Sequence, residues 1–208
     1  MGDYTLYDYP QRSNQWKELR HGRITASNFG YLYPNRFKTQ EDLRDQILGL
    51  TTMETNAAML HGIANEPKVR EWYSNKYNVK VNEIGLAIPK WDPHIGVSVD
   101  GVYDNFSRII EIKCPMRMYD PLFKRMNTPT PQLFRDPEYK HIWKSHYCQM
   151  QGGMKILGVP LCDYIVYAQK PYEMYYVETV EFDRDFWDND LYPRIREFVK
   201  EYLDPKAY

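Results

Sequence analysis

Residues 108–115 read Arg-Ile-Ile-Glu-Ile-Lys-Cys-Pro. In an extended strand the side chains alternate. Glu111 and Lys113 then share one face, ~6.6–6.8 Å apart at roughly 3.3–3.4 Å per residue, while Ile110 and Ile112 point the other way into a core. A charged pair in an otherwise aliphatic strand needs a reason: either a solvent-facing edge strand or a built site. Upstream, Gly96-Val-Ser-Val-Asp-Gly101 places Asp100 eleven residues before Glu111. If strands over Ile95–Val99 and Arg108–Lys113 pair as a hairpin about Asp104-Asn105, Asp100 and Glu111 converge at one edge of the sheet. Paired carboxylates repel unless they share a cation or a proton. Magnesium prefers oxygen ligands with room left for water and phosphate. It polarises a scissile phosphate and lowers the pKa of bound water, which Lys113 could orient or deprotonate. Asp…Glu-x-Lys is therefore a coherent hydrolytic site, although the bare spacing is only moderately specific.

Outward from this stretch the elements alternate. A short helical region is expected over Trp16–Leu32, with Thr25, Ser27 or Asn28 able to cap a turn, and a second helix over Glu41–Leu50. Ala57–Tyr77 has helical spacing, with Val69, Trp72, Tyr73 and Tyr77 on one stripe, and Pro67 marks a start or a kink. Glu83–Ile88 reads as a strand. Pro115–Pro137 holds five prolines and reads as a long ordered loop. Tyr139–Leu157 is expected as a helix, Asp163–Gln169 and Tyr175–Phe182 as strands, and Arg184–Tyr202 as a closing helix. The whole is an α/β sandwich with a mixed central sheet.

The 208 residues suffice for one well-filled core and hardly for two, so a single domain over 1–208 is expected. No apolar run approaches the length of a membrane span, and the amino terminus lacks a signal-peptide pattern, so an intracellular, soluble protein follows by default. Cys114, Cys148 and Cys162 form no C-x-x-C pair and are too few for a zinc ribbon or a cysteine-held iron–sulfur cluster. Net charge is −1, which alone argues against a nucleic-acid partner. Its distribution says otherwise: residues 113–146 carry +4, including Lys124 and Arg125, and residues 171–208 carry −5. One face suits a polyanion and another is kept off it.

Four motifs in order resemble the lambda-exonuclease (YqaJ-type viral recombinase) family of the restriction-endonuclease-like PD-(D/E)xK superfamily. Trp16-Lys-Glu-Leu-Arg-His-Gly-Arg-Ile-Thr-Ala-Ser27 resembles its amino-terminal W-x-x-x-R-x-G-x-x-T-A-S, and His61-Gly-Ile-Ala-Asn-Glu66 its G-x-x-x-E helix. Ser98-Val-Asp-Gly101 with Glu111-Ile-Lys-Cys-Pro115 resembles its S-x-D-G and E-x-K-C-P pair, and Tyr147-Cys-Gln-Met-Gln151 its Q-x-Q helix. The motifs span about two-thirds of the chain.

The resemblance implies a restriction-endonuclease-like fold and a magnesium-dependent 5′-to-3′ exonuclease on double-stranded DNA, with two ions (Mn2+ able to substitute for Mg2+). It implies that Asp100, Glu111 and the backbone carbonyl of Ile112 bind one metal, Glu66 helps hold a second metal or its water, Lys113 activates the nucleophile and Gln149 supports the site. It also implies that Arg20, Ser27 and Ser98 hold the 5′ phosphate. Arg20 has a reading of its own here, since its planar fork suits a phosphate. Ser27 lies near an expected helix start, where free N–H groups attract anions. A role in viral or phage recombination beside a single-strand-annealing protein follows, as does a homo-oligomer, since relatives include trimer rings. The alternatives are a structure-selective or nicking endonuclease on the same fold and a catalytically inactive DNA-end-binding module. A binding module has no need of all five of Glu66, Asp100, Glu111, Lys113 and Gln149. The proline-rich segment 116–136 departs from the family.

Overall fold

A computed structural model describes residues 2–52, 55–116, 142–169 and 173–208. In chain order the elements are β1 (Tyr4–Tyr7), α1 (Asn14–Arg20), β2 (Ile24–Thr25), a 3₁₀ segment (Ala26–Leu32), α2 (Gln40–Ile47), α3 (Ala57–Tyr77), β3 (Val81–Asn82) and β4 (Leu86–Pro89). They continue as β5 (Ile95–Gly96), β6 (Gly101–Tyr103), β7 (Arg108–Lys113), α4 (Lys144–Leu157), β8 (Leu161–Ala168) and β9 (Met174–Glu181). A carboxy-terminal helical run closes the chain, with α-helical turns at Arg184–Phe186 and Tyr192–Phe198 and wider π-helical turns at Trp187–Leu191 and Val199–Leu203.

Strands β3-β6-β7-β8-β9 form the main sheet in that order. The β7–β8 pair is parallel and the others antiparallel, so the sheet is mixed as expected. A parallel pair needs a crossover, and α4 lies within it. Strand β7 is the middle strand, which removes the edge-strand explanation for its charges. Its Ile110 and Ile112 pack with Val69 and Tyr73 of α3 and with Ile165 and Tyr167 of β8. Ile109 joins the opposite cluster, with Cys162, Tyr164 and Val166 of β8 and Cys148, Met150 and Met154 of α4. The sheet is thus covered by α3 on one face and by α4, the 3₁₀ segment and the carboxy-terminal run on the other.

Several boundaries move for local reasons. Trp16–Leu32 is not one helical region, because Gly22 takes φ +72° after α1 and Ile24-Thr25 then pairs in parallel with Ile95-Gly96. The run Ile95–Val99 is consequently not the hairpin partner of β7; that partner is β6, with Gly101 opposite Ile110 and Val102 opposite Ile109. The strand expected over Glu83–Ile88 lies at Leu86–Pro89 and pairs with β1, which carries no clear sequence signal. Helix α3 starts at Ala57, capped by Asn56, and runs through Pro67 without restarting there. The fourth helix begins at Lys144 rather than Tyr139, and 139–141, like Lys124 and Arg125, lie outside the described residues. A Cβ on Gly30 would stand 2.3 Å from the Ser145 Cα, so only glycine lets the 3₁₀ segment approach α4 this closely. Among the described residues no helix is long and apolar enough to cross a membrane.

Candidate active site

Two strands and two helices deliver the charged cluster. Asp100 immediately precedes β6, and the β6–β7 register sets it opposite Glu111 on the same face. The lock is specific: Ile112 N donates to Asp100 Oδ2 at 2.7 Å, and Arg70 Nε of α3 donates to the Asp100 carbonyl at 2.7 Å. A Cβ on Gly101 would fall 2.4 Å from Val81 Cγ1, so the glycine after Asp100 lets β6 sit against β3. Glu111 is 2% exposed, and Lys113 Nζ lies 2.6 Å from its Oε1. The same ammonium donates to Gln149 Oε1 at 3.1 Å, which ties α4 to the site. Gln151, the second glutamine of that motif, turns away; its Nε2 donates to the Glu181 carbonyl and its Oε1 accepts from Asp183 N. One glutamine faces the site and the other holds the helix to β9.

The electrostatics follow from burying like charges together. Burial raises the Asp100 pKa well above the ordinary carboxyl range, and Glu111 and Glu66 push it further. Burial also raises Glu111, against the pull of Lys113. Burial alone would lower Lys113, but Glu111 and Asp100 outweigh it and hold the ammonium protonated. His146, also on α4, is pushed well below the usual histidine range by burial and by Lys113, so it is neutral; its Nδ1 lies 2.9 Å from Tyr164 Oη. The three cysteines are free and buried, and burial lifts the Cys114 thiol to about 12.

A second group is assembled along the amino-terminal motif. Ser13 caps α1 by accepting from Trp16 N, and Trp16 Nε1 donates to Ser98 Oγ at 2.8 Å, two residues from Asp100. The Arg20 guanidinium lies 4.2 Å over the Trp16 ring and donates to Ser27 Oγ at 3.4 Å, the long limit of a hydrogen bond. Arg20, Ser27 and Ser98 are therefore linked through Trp16, which was not assigned a role from the sequence. Ser27 stands in the first turn of a short 3₁₀ segment, so it offers its hydroxyl rather than a long helix terminus. Burial lowers Arg20 to about 10, with no carboxylate contributing. An adjoining shallow cleft is lined by Lys17, Arg20, His21 and Arg23 with no acidic residue.

Glu66 sits on α3 with its Oε2 2.7 Å from Arg12 Nη2. Gln11, beside Arg12, donates to the carbonyls of Ile84 and Val99 at 3.1 and 3.0 Å, pinning the amino-terminal strap next to Asp100. Gln11, Arg12 and Arg70 were missed by sequence reasoning. Arg70 lies four residues after Glu66 and so shares its helix face, a usable signal; the strap has no local one. Among the described residues no three His, Cys, Asp or Glu side chains gather closely enough to enclose an ion by themselves.

The family and the solved structures that share this fold mark the chain as a nuclease. The chain belongs to the YqaJ-like viral recombinase domain family, whose model matches residues 15–160. The fold is similar to an alkaline exonuclease, LHK-Exo, from Laribacter hongkongensis, at 26% identity and a TM-score of 0.71, covering 91% of this chain and 92% of that one. The same enzyme in complex with dAMP matches at 25% identity and 0.70 over the same shares of both chains. A phage related exonuclease from Haemophilus somnus 129PT has a similar fold at 14% identity and 0.58, covering 91% and 96%. No curated protein matches the chain at a comparable level of significance.

Proposed function

We propose that this chain is a single-domain, magnesium-dependent exonuclease that degrades double-stranded DNA from 5′ ends. The observation that carries the reading is the join between the two groups: Trp16 hydrogen-bonds Ser98, and Ser98 lies two residues from Asp100. A phosphate held by Arg20 and Ser27 would then lie on the same short path as the carboxylates. Arg20 is a desolvated cation with hydrogen-bond donors to spare, beside an acid-free basic cleft.

The donor set suits a hard divalent cation. Glu111 Oε1 is buried without a well-aligned hydrogen bond, Lys113 making a charge contact only. Asp100 and Glu111, joined by the Ile112 carbonyl, would supply a partial oxygen shell of the kind magnesium completes with water and phosphate oxygens. Asp100, Glu111 and Ile112 would hold one ion, with Glu66 beside a second. When bound, such ions polarise the phosphate and lower the pKa of water. Lys113, steadied by Gln149, orients the attacking oxygen. LHK-Exo, whose fold this chain resembles, forms a complex with dAMP, which supports a nucleotide as the kind of ligand. Membership of a viral recombinase family supports a role in DNA recombination; a single-strand-annealing partner and a ring-forming homo-oligomer rest on the motif resemblance alone.

The deciding experiment incubates linear and circular duplexes, with and without 5′ phosphate, with magnesium, manganese or chelator. Metal-dependent shortening of linear DNA, faster on 5′-phosphorylated ends, is expected, with supercoiled circles resistant. Linearisation of circles at the same rate would favour an endonuclease on the same fold; full activity in chelator would remove the metal.

A further inference from the structure

The amino-terminal strap places a cation on a carboxylate of the site. Arg12 stands at φ +71°, a left-handed conformation that residues with a Cβ seldom adopt. On one side Gln11 is bound to two backbone carbonyls, and on the other Ser13 caps α1. The turn between these anchors aims the guanidinium at Glu66, where Nη2 donates to Oε2 at 2.7 Å. Glu66 Oε1 leans back along α3 to within 4.0 Å of where a Cβ on Gly62 would stand. The cation thus holds one oxygen of an α3 carboxylate whose charge acts on Asp100, Glu111 and Lys113.

We propose that Arg12 is a positioning residue that occupies Glu66 in place of a second divalent cation and sets how tightly that cation binds. The inference rests on the reading that Glu66 helps hold a metal. Two effects act in the same direction. A divalent ion on Glu66 must displace the guanidinium from Oε2, and a nearby positive charge repels the incoming ion. Because the pair is partly exposed, with the Arg12 side chain 43% and the Glu66 side chain 21% accessible, its strength is that of a surface ion pair. Loading of the second ion is thereby made conditional: a polyanion that draws Arg12 away frees Glu66 for metal.

Titration of the full chain with Mn2+, read by electron paramagnetic resonance of the free ion, tests this without recourse to activity. Arg12→Gly suits the left-handed backbone and should fold. It is expected to tighten the weaker Mn2+ step about two- to fivefold, the range a surface ion pair allows, leaving the tighter step within a factor of about two. Arg12→Lys should stay close to the parent. In a Glu66→Gln background, Arg12→Gly should have no effect. If the parent binds Mn2+ in two steps and Arg12→Gly weakens or leaves unchanged the second, the proposal is overturned while the metal reading stands. If neither the parent nor Arg12→Gly shows a second Mn2+ step, the reading of Glu66 as a metal ligand falls and the proposal with it.

Discussion

Asp100 Oδ2 accepts a 2.7 Å hydrogen bond from Ile112 N, so the first carboxylate of the site is fastened to the strand that carries the second. An asparagine in its place could accept the same bond through its own carbonyl oxygen. Asp100→Asn therefore removes a charge and leaves the geometry. Activity should fall on the order of 10²-fold or more, since the missing charge acts on the transition state. Stability in chelator should move the other way. Burial, then Glu111, raise the folded-state pKa of Asp100, so the folded chain binds protons more readily there than the unfolded chain. Such a group favours folding most below the ordinary carboxyl pKa of about 4 and loses that contribution as pH climbs through its raised value. Melting curves in chelator from pH 4 to 9 should show Asp100→Asn gaining on the parent as pH rises. A parent that equals or exceeds the variant at pH 8 would refute the account.

Lys113 and Glu111 should behave as a pair. Lys113→Met leaves Glu111, 2% exposed, without its cation. Stranding a buried charge is destabilising, and with the ammonium itself a quarter exposed we expect about 2–4 kcal/mol. Glu111→Gln in the same chain should restore most of that stability, because no charge is then left alone, while activity stays lost. Denaturant titration of the two single variants and the double variant gives the coupling; additive effects would show that the contact contributes nothing.

Gly101 tests the packing that sets the first carboxylate in register. An added methyl would meet Val81 Cγ1 at 2.4 Å and Ile110 Cγ1 at 2.9 Å. Gly101→Ala should destabilise by about 1–3 kcal/mol, the usual range for overpacking. Shrinking the neighbour with Val81→Ala should recover part of it. A neutral Gly101→Ala, measured by thermal melting, would mean that β3 yields at no expense.

The charged strand and its paired carboxylate were legible because alternation is local: Glu111 and Lys113 must share a face whatever the rest of the chain does. The identity of the hairpin partner was not. Ile95–Val99 is as aliphatic as any strand, but its pairing is decided by Gly22 and by the two-residue β2, a contact some seventy residues away along the chain. Helix α3 was readable from Ala57 to Tyr77 because its stripe outweighs Pro67; the split of Trp16–Leu32 was hidden because its helical signals flank a strand of two residues. Glu66 and Gln149 came from motif resemblance alone, and the structure supplies their partners, Arg12 and Lys113. The strap residues Gln11 and Arg12 touch the site only through tertiary contacts, so periodicity carried no trace of them.

The last prediction separates the phosphate pocket from the metal site. Arg20→Ala removes the guanidinium that lies over Trp16 and bonds Ser27. Trp16→Phe keeps an aromatic ring beneath Arg20 and removes the N–H that Ser98 accepts, with part of the indole's area. If the pocket recognises a terminal phosphate, both variants should lose preference for 5′-phosphorylated ends, in proportion to what each removes. A charge-assisted contact contributes about 1.5–3 kcal/mol, so Arg20→Ala should lower kcat/KM on phosphorylated ends by roughly 10- to 150-fold. One neutral hydrogen bond contributes about 0.5–1.5 kcal/mol, so Trp16→Phe should lower it by roughly 2- to 12-fold. On 5′-hydroxyl ends both variants should act close to the parent, because Asp100, Glu111 and Lys113 are untouched, and Mn2+ binding should be unchanged. If either variant slows the two substrates equally, the Trp16–Ser98 and Arg20–Ser27 contacts serve only to hold α1 and the 3₁₀ segment in place, and 5′-end recognition lies elsewhere on the chain.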